Sequence, residues 1–466
     1  MLNRRSFLAA MGAAPFASAQ ARRRPNVLFL AADDMNTALG CYGHPMAKTP
    51  NIDRLAARGV RFDRAYCQFP LCGPSRASLL LSLRPDQTKV LDNNIDFRDF
   101  HPNIVTLPQF FKNSGWFSAR EGKMFHMNVP NEVGLPRFQD EPSWNHSGSP
   151  QGLEQKTPGE GRKLNPPGVN FGMNWIAATT AEGQADDNAA NHALTLMEQH
   201  KDKPFFLGVG FVRPHLPFVA PKSFYDMYPL DKIVPAKNPA DDLDDIPKAA
   251  KAVRPTQWDN MKMDDERTRE ALRGYYASTS FMDSQVGKVL DGLERLGLAD
   301  NTIVVFWGDH GWHLGEHTKW QKMSLMENGA RVPLIIADPR GGPARGKSTT
   351  SLVEFVDLYP TLAELCGLKA PDHVEGQSLV PLLKNPSRPW KKAAFTQLKY
   401  ENITGRSIRT PRYRYIRWEG EGGGEELYDH QKDPGEFTNM AVKPEAKTVL
   451  EQHRRILDAG WKAARA

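Results

Sequence analysis

The sequence predicts an α/β fold: a large mixed, mainly parallel sheet flanked by helices, with a small C-terminal α+β subdomain. Three observations predict it. Short, nearly continuous apolar runs recur along the chain, helical patterns lie between them, and after about Asn385 short strand candidates alternate with glycine and charge.

The run NVLFLAADD (Asn26 to Asp34) closes on two acids and suits a strand covered on both faces of a parallel sheet. PFFLGVGFVRPH (Pro204 to His215), NTIVVFWGDHG (Asn301 to Gly311) and VPLIIADP (Val332 to Pro339) resemble it. Between them NIDRLAARG, AANHALTLMEQH and TREALRGYYASTSFMDSQVGKVLDGLERLG place apolar residues at helical spacing, the alternation of a doubly wound sheet. Such sheets gather ligands beyond the carboxyl ends of their strands, where Asp33, Asp34, His215, Asp309 and His310 fall. Gly/Pro-rich stretches from Gln139 to Asn170 and from Pro217 to Pro255 read as long loops. AAFTQL, YRYIRWEG and ELYD are the strand candidates of the C-terminal part, and a closing helix is expected from Pro444 onward.

Composition narrows the class. The N-terminus, MLNRRSFLAAMGAAPFASAQA, sets Arg4 and Arg5 before a short apolar run and small residues, the pattern of a twin-arginine leader covering residues 1–21. The expectation is an exported, periplasmic or secreted protein without a transmembrane segment, since no apolar run is long enough to span a bilayer. Loss of Arg4 and Arg5 with the leader takes the formal charge from +6 to +4, an excess compatible with anionic substrates. Basic stripes interleaved with aromatics are lacking, which argues against nucleic acid as a partner. Cys41, Cys67, Cys72 and Cys366 are too scattered for a disulfide framework, although one pair could bridge.

The stretch CGPSRASLLLSLRP places Cys72 at a helix start, with Pro74 suited to the first helical position and Arg76 one turn on. Free amide N–H groups and the macrodipole favour an anion there, and Arg76 adds a fixed positive charge. Taken alone, such a cysteine is as well read as structural. Asp33-Asp34 and Asp309-His310 supply two pairs of ligand type at predicted strand ends, a donor set for a hard divalent cation, although imidazole suits softer metals. GKMFH (Lys123, His126), RPHLPF (His215) and DHGWHLGEHTKWQK (His313, His317, Lys319, Lys322) add the basic groups that acid–base work on an anionic ester requires.

Together with GCYGHPMAKTPNIDRLAARGVRFDRAYCQFPLCGPSR, EGQSLVPLL and ELYDHQKDPGEFTNMA, these segments resemble, in order, a type I sulfatase of the alkaline phosphatase superfamily, closest to its iduronate-2-sulfatase branch. The resemblance runs from about Asn26 to Ala441. It implies an alkaline-phosphatase-like sheet, with a catalytic domain over residues 22–385 and a subdomain over 386–466. It further implies that a formylglycine-generating maturation enzyme oxidises Cys72 to formylglycine, and that Asp33, Asp34, Asp309, His310 and the modified Cys72 bind a divalent ion, Ca2+ before Mg2+. In the implied chemistry a formylglycine hydrate attacks sulfur while Arg76, Lys123 and Lys322 neutralise charge. His215, with Lys322, protonates the departing alcohol, and His126 takes the proton that expels sulfate. Trp312 and His317 are expected sugar contacts, and the implied substrate is a sulfated carbohydrate.

One departure stands out. Where such sulfatases continue Thr-Gly-Arg, this chain has Leu81-Ser82-Leu83 followed by Arg84, so reduced but not abolished maturation or activity is expected. Two alternatives compete with the sulfatase reading: a formylglycine-dependent phosphodiesterase or phosphonate monoester hydrolase, and a non-catalytic glycan-binding relative whose Cys72 stays a thiol.

Overall fold

The computed structural model describes residues 24–155, 159–164, 174–178 and 180–466. The leader expected over residues 1–21 and part of the loop expected from Gln139 to Asn170 lie outside the described residues.

The main sheet has eight strands: β1 (Asn26–Asp33), β2 (Val60–Phe62), β3 (Phe117–Gly122), β4 (His146–Gly148), β5 (Phe205–Pro214), β6 (Thr302–Gly308), β7 (Leu334–Ala337) and β8 (Ser348–Thr349). Their order across the sheet is β8-β2-β7-β6-β1-β5-β3-β4. β1 runs parallel to β5 and β6, and β3 parallel to β5 and β4. The expectation for Val332 to Pro339 needs correction, because β7 pairs antiparallel with both β6 and β2. The segment between β6 and β7 holds a short hairpin, single helical turns at Glu316–Thr318 and Glu327–Ala330 and the short strand Arg331–Val332, so the chain returns without the crossover helix that a parallel neighbour requires.

β1 shows why its sequence is continuously apolar. Val27, Phe29 and Ala31 face one core with Leu79 and Leu80 of α2 (Cys72–Leu81), whereas Leu28, Leu30 and Ala32 face another. That second core takes Ile52 and Leu55 of α1 (Pro50–Arg58), Ala189 and Ala193 of α3 (Ala185–Gln199), and Met282 and Val286 of α4 (Asp265–Arg295). Alternate residues along a strand point to opposite faces, so a strand covered on both sides needs apolar groups at every position. Each fully buried Leu or Phe contributes about 2 kcal/mol.

A four-stranded antiparallel sheet follows: β9 (Ala394–Tyr400), β10 (Ile403–Arg409), β11 (Tyr413–Glu419) and β12 (Gly424–Asp429), with α5 (Lys447–Ala463) closing the chain. β10 carries ITGRSIR and was absent from the predicted strands, since its glycine and charges break the apolar signal. All four cysteines are free, so the possible bridge does not form. Among the described residues no helix is long and apolar enough to cross a membrane.

Candidate active site

Four adjacent parallel strands, in the order β6-β1-β5-β3, end on one edge of the sheet, and each delivers a polar group there. β1 ends at Asp33, β6 runs into Asp309-His310, β5 into His215 and β3 into Lys123. Successive residues of a strand would point apart, but Asp34 takes left-handed backbone (φ 57), which ends the strand. Oxygens of Asp33, Asp34 and Asp309 consequently lie within 4.8 Å of one another. At the end of β3, Gly122 (φ 76) allows the turn, and a Cβ there would sit 2.1 Å from the Gly210 carbonyl oxygen.

The helix carrying Cys72 starts at that residue, so Pro74 stands third in the helix rather than first. Its missing N–H costs nothing there, because first-turn amides lack intrahelical acceptors. Cys72 is fully buried, with Sγ 2.9 Å from Lys322 Nζ, 3.3 Å from His310 Nε2 and 3.8 Å from Asp34 Oδ1. Among the described residues no cationic side chain hydrogen-bonds the sulfur of another cysteine, and burial pushes the thiols of Cys41 and Cys366 up to about 12.

The buried charges around Cys72 are paired. Lys123 Nζ donates to Asp33 Oδ2 at 2.6 Å and Lys322 Nζ to Asp34 Oδ1 at 2.7 Å. Arg76 spans the set: its Nε donates to Asp309 Oδ2 at 3.0 Å, a terminal nitrogen reaches Asp33 Oδ1 at 3.2 Å, and the other donates to the carbonyls of Lys123 and Met124. Burial alone would raise the carboxyl of Asp33, but Lys123 leads the neighbouring charges that hold it well below its ordinary value. Asp34 is treated alike, with His215 and Lys322 outweighing burial.

The histidines divide. Burial would lower His310, but Asp309 and the Cys72 sulfur raise it to about 10, while its Nδ1 against the Gly311 carbonyl (2.9 Å) aims Nε2 at Cys72. Burial lowers His215, whose Nε2 stands 3.5 Å from Asp34 Oδ2. Burial, with Lys123, also lowers His126, which therefore stays neutral at neutral pH.

The donor set suits a divalent cation. Three fully buried carboxylates converge, and Asp34 Oδ2 is buried without a hydrogen-bond partner. His310 adds an imidazole held charged by those same carboxylates, a proton that it would surrender on binding metal.

Beside Lys322 a cavity of about 180 Å³ opens, lined in part by Asn93, His126, Asn128 and His215. Trp312 and His317 do not reach it. Trp312 is 1% exposed within an apolar cluster, and His317, also 1% exposed, is held by Asp242 at 3.1 Å, so neither offers surface to a sugar. Their neighbours in sequence turn into the site, but the hairpin His313–Leu314 with Trp320–Gln321 buries both rings behind it.

Among the described residues Arg84, which follows Leu81-Ser82-Leu83, makes no hydrogen bond or ion pair with Cys72 or its partners. It pairs with Glu354 at 2.8 and 2.9 Å and lies over the rings of Trp461 and Phe395. Leu81 and Leu83 join the core, and Ser82 takes the left-handed helix-ending position (φ 52), which is typical of glycine. Sequence reasoning did not single out Arg254, Gln257, Asn93 or Asn128, all of which line the cavity. Nothing in the local pattern marks them.

The Sulfatase family model matches residues 25–368, and the model of the N-sulphoglucosamine sulphohydrolase C-terminal region matches residues 315–461. A sulfatase of Formosa agariphila is 34% identical, the match covering 94% of this chain and 88% of that protein. Mouse iduronate 2-sulfatase is 33% identical over 85% of each chain. The fold matches that of the phosphonate monoester hydrolase of Agrobacterium radiobacter with a TM-score of 0.78 at 24% identity, covering 94% of this chain and 95% of the other. A family model spanning most of the chain, and relatives matched along nearly all of it, show that this chain belongs to the sulfatase family of sulfuric ester hydrolases.

Proposed function

We propose that the protein removes sulfate from a sulfated carbohydrate, with iduronate 2-sulfatase as a guide to substrate, through formylglycine made from Cys72 by a maturation enzyme. One observation carries this reading: the helix start, Lys322 and His310 all converge on Cys72 Sγ, beside three buried carboxylates.

Asp33, Asp34, Asp309 and His310 would hold a divalent cation, calcium before magnesium, which with the aldehyde hydrate of residue 72 supplies a Lewis acid and a nucleophilic oxygen. The chain's own groups do the rest. Lys123 and Arg76 fix the Asp33 and Asp309 carboxylates, and Lys322 holds a positive charge over position 72, where negative charge gathers on the sulfate. His215, on the cavity wall with Lys322, acts in its imidazolium form and gives its Nε2 proton to the departing alcohol oxygen, returning to the neutral ring whose Nδ1 rests against the Leu216 carbonyl. His126, neutral and with Nδ1 unpartnered, accepts the proton whose loss releases sulfate. The twin-arginine pattern supports export in folded form.

The test is mass spectrometry of the tryptic peptide Ala65 to Arg76 from protein made with a maturation enzyme, with Cys67 as an internal control. A mass loss at Cys72 matching exchange of the thiol carbon for an aldehyde, together with faster turnover of an aryl sulfate than of an aryl phosphodiester, is expected. An unmodified Cys72 in active protein would overturn the mechanism.

A further inference from the structure

The cavity wall facing Lys322 carries a second basic centre. Arg254 lines it, and among the described residues no carboxylate lies within ion-pair distance of its guanidinium, which rests over the Tyr400 ring at 5.3 Å. Its backbone is left-handed (φ 50) immediately before Pro255, a costly conformation for a non-glycine residue and one that accumulates at binding sites. Behind it Lys319 is fully buried, with Nζ 3.4 Å from Gln257 Oε1 and 4.3 Å from the centre of the Trp258 ring, again with no acid paired to it. Gln257 itself lines the cavity and donates to Gln321 Oε1 at 2.9 Å, so it links buried Lys319 to the wall that Arg254 also lines.

Arg76, Arg84, Lys123 and Lys322 are each matched by a carboxylate, whereas among the described residues buried Lys319 and partly buried Arg254 stand near one another unmatched. Burial, and then the charge of Arg254, push Lys319 down to about 7. Among the described residues the cavity lining contains no aspartate or glutamate. A wall that carries uncompensated positive charge at a cost to the free protein recovers that cost when an anion arrives.

We propose that Arg254, backed through Gln257 by Lys319, forms a subsite for a second anionic group, a carboxylate or a further sulfate, on the sugar whose sulfate ester is cleaved. This deepens, and rests on, the sulfatase reading above. Arg254 contacts the second anion directly, and Lys319 acts as a positioning residue by holding Gln257 and the local potential. The subsite selects doubly charged sugars over singly charged ones.

The experiment is a cycle of substrates and variants. kcat/KM is measured for a 2-sulfated uronate glycoside, for its carboxyl methyl ester and for a disulfated glucosamine, with wild type, Arg254→Gln and Arg254→Lys. Methyl esterification is expected to cost the wild type about tenfold to a hundredfold, the scale of a charge-assisted hydrogen bond, with most of that difference gone in Arg254→Gln and part of it kept in Arg254→Lys. Coupling to the second sulfate alone would assign the subsite to sulfate. Equal penalties in wild type and Arg254→Gln for both anion types overturn the subsite. Calorimetric titration of the unoxidised Cys72→Ser protein with the same uronate keeps the question separate from catalysis: no turnover of any sulfate ester would strike the sulfatase reading, while loss of uronate binding in Arg254→Gln would still support the subsite and unchanged binding would reject it.

Discussion

Lys322 Nζ lies 2.9 Å from Cys72 Sγ and 2.7 Å from Asp34 Oδ1, so one ammonium bridges the cysteine at the helix start and a carboxylate at the strand end. Burial would strip its proton, but Asp34 and the Cys72 sulfur outweigh burial and raise its pKa, so the charge is permanent. Substitution Lys322→Met is expected to lower kcat by on the order of 10² to 10³, the scale of losing one preorganised electrostatic contact. Steady-state rates on an aryl sulfate check it, and a near-normal kcat would remove Lys322 from the mechanism.

Cys72→Ala is expected to lower turnover by on the order of 10⁴ or more while circular dichroism and the thermal midpoint stay close to wild type. The thiol makes no contact that a neutral methyl group would leave clashing, and its partners retain one another. Sulfatase rates near wild type in that variant would exclude Cys72 as the source of the nucleophile.

Removing divalent ions should cut activity by more than about tenfold, with calcium restoring it better than magnesium, because three carboxylates and an imidazole form an irregular site that a larger ion tolerates. Asp309→Asn should weaken the restoring affinity. Full activity in chelator would take the cation out of the reading.

The sequence told most where one residue type has one physical use. Apolar runs covered on both faces, the acids that end them and a helix start at Cys72 were all legible, and the structure brings Asp33, Asp34, Asp309 and His310 together at one sheet edge. β3 escaped notice because FSAREG is half polar: Arg120 is buried against the Gly122 and Gly148 carbonyls and Glu121 against His146, so its polarity is satisfied internally rather than by solvent. The antiparallel direction of β7 depends on what the preceding loop lacks, which no strand pattern records. Trp312 and His317 sit in the same motif as His310, yet hairpin pairing of His313 with Gln321 turns that stretch inward. Arg254 became visible only through its unmatched charge on a wall assembled from distant segments.

His126 is held neutral by burial and by Lys123, which lower its pKa below 6.5. In the proposed role of base it works deprotonated, so kcat should fall as pH drops through that lowered value and stay flat above it. His126→Ala should lower kcat by on the order of 10² to 10⁴ and abolish that acidic limb. Rate profiles between pH 4 and pH 8 test this, at roughly constant ionic strength. An acidic limb of unchanged position in the variant would assign it to another group.

The junction between the main domain and the C-terminal sheet gives a stability prediction. Arg414 of β11, 1% exposed, pairs with Glu436 at 2.6 Å and with Glu327, and donates to the Leu325 carbonyl at 3.0 Å. Burial would raise both glutamates, but Arg414 leads the charges that lower them below the ordinary 4.5. Depressed carboxyl values contribute stability that is present above pH 4.5 and lost as pH falls toward the folded values. Arg414→Leu leaves two buried carboxylates without their main partner and should cost about 3 to 5 kcal/mol at pH 7. That deficit should shrink on acidification, since the unpaired glutamates of the variant protonate more readily than those of the wild type. Urea unfolding of both proteins at neutral pH and near pH 4 reads the difference directly. A deficit that is the same at both values would mean that Arg414 acts through packing against the Tyr66 ring, 5.6 Å from its guanidinium carbon, rather than through charge.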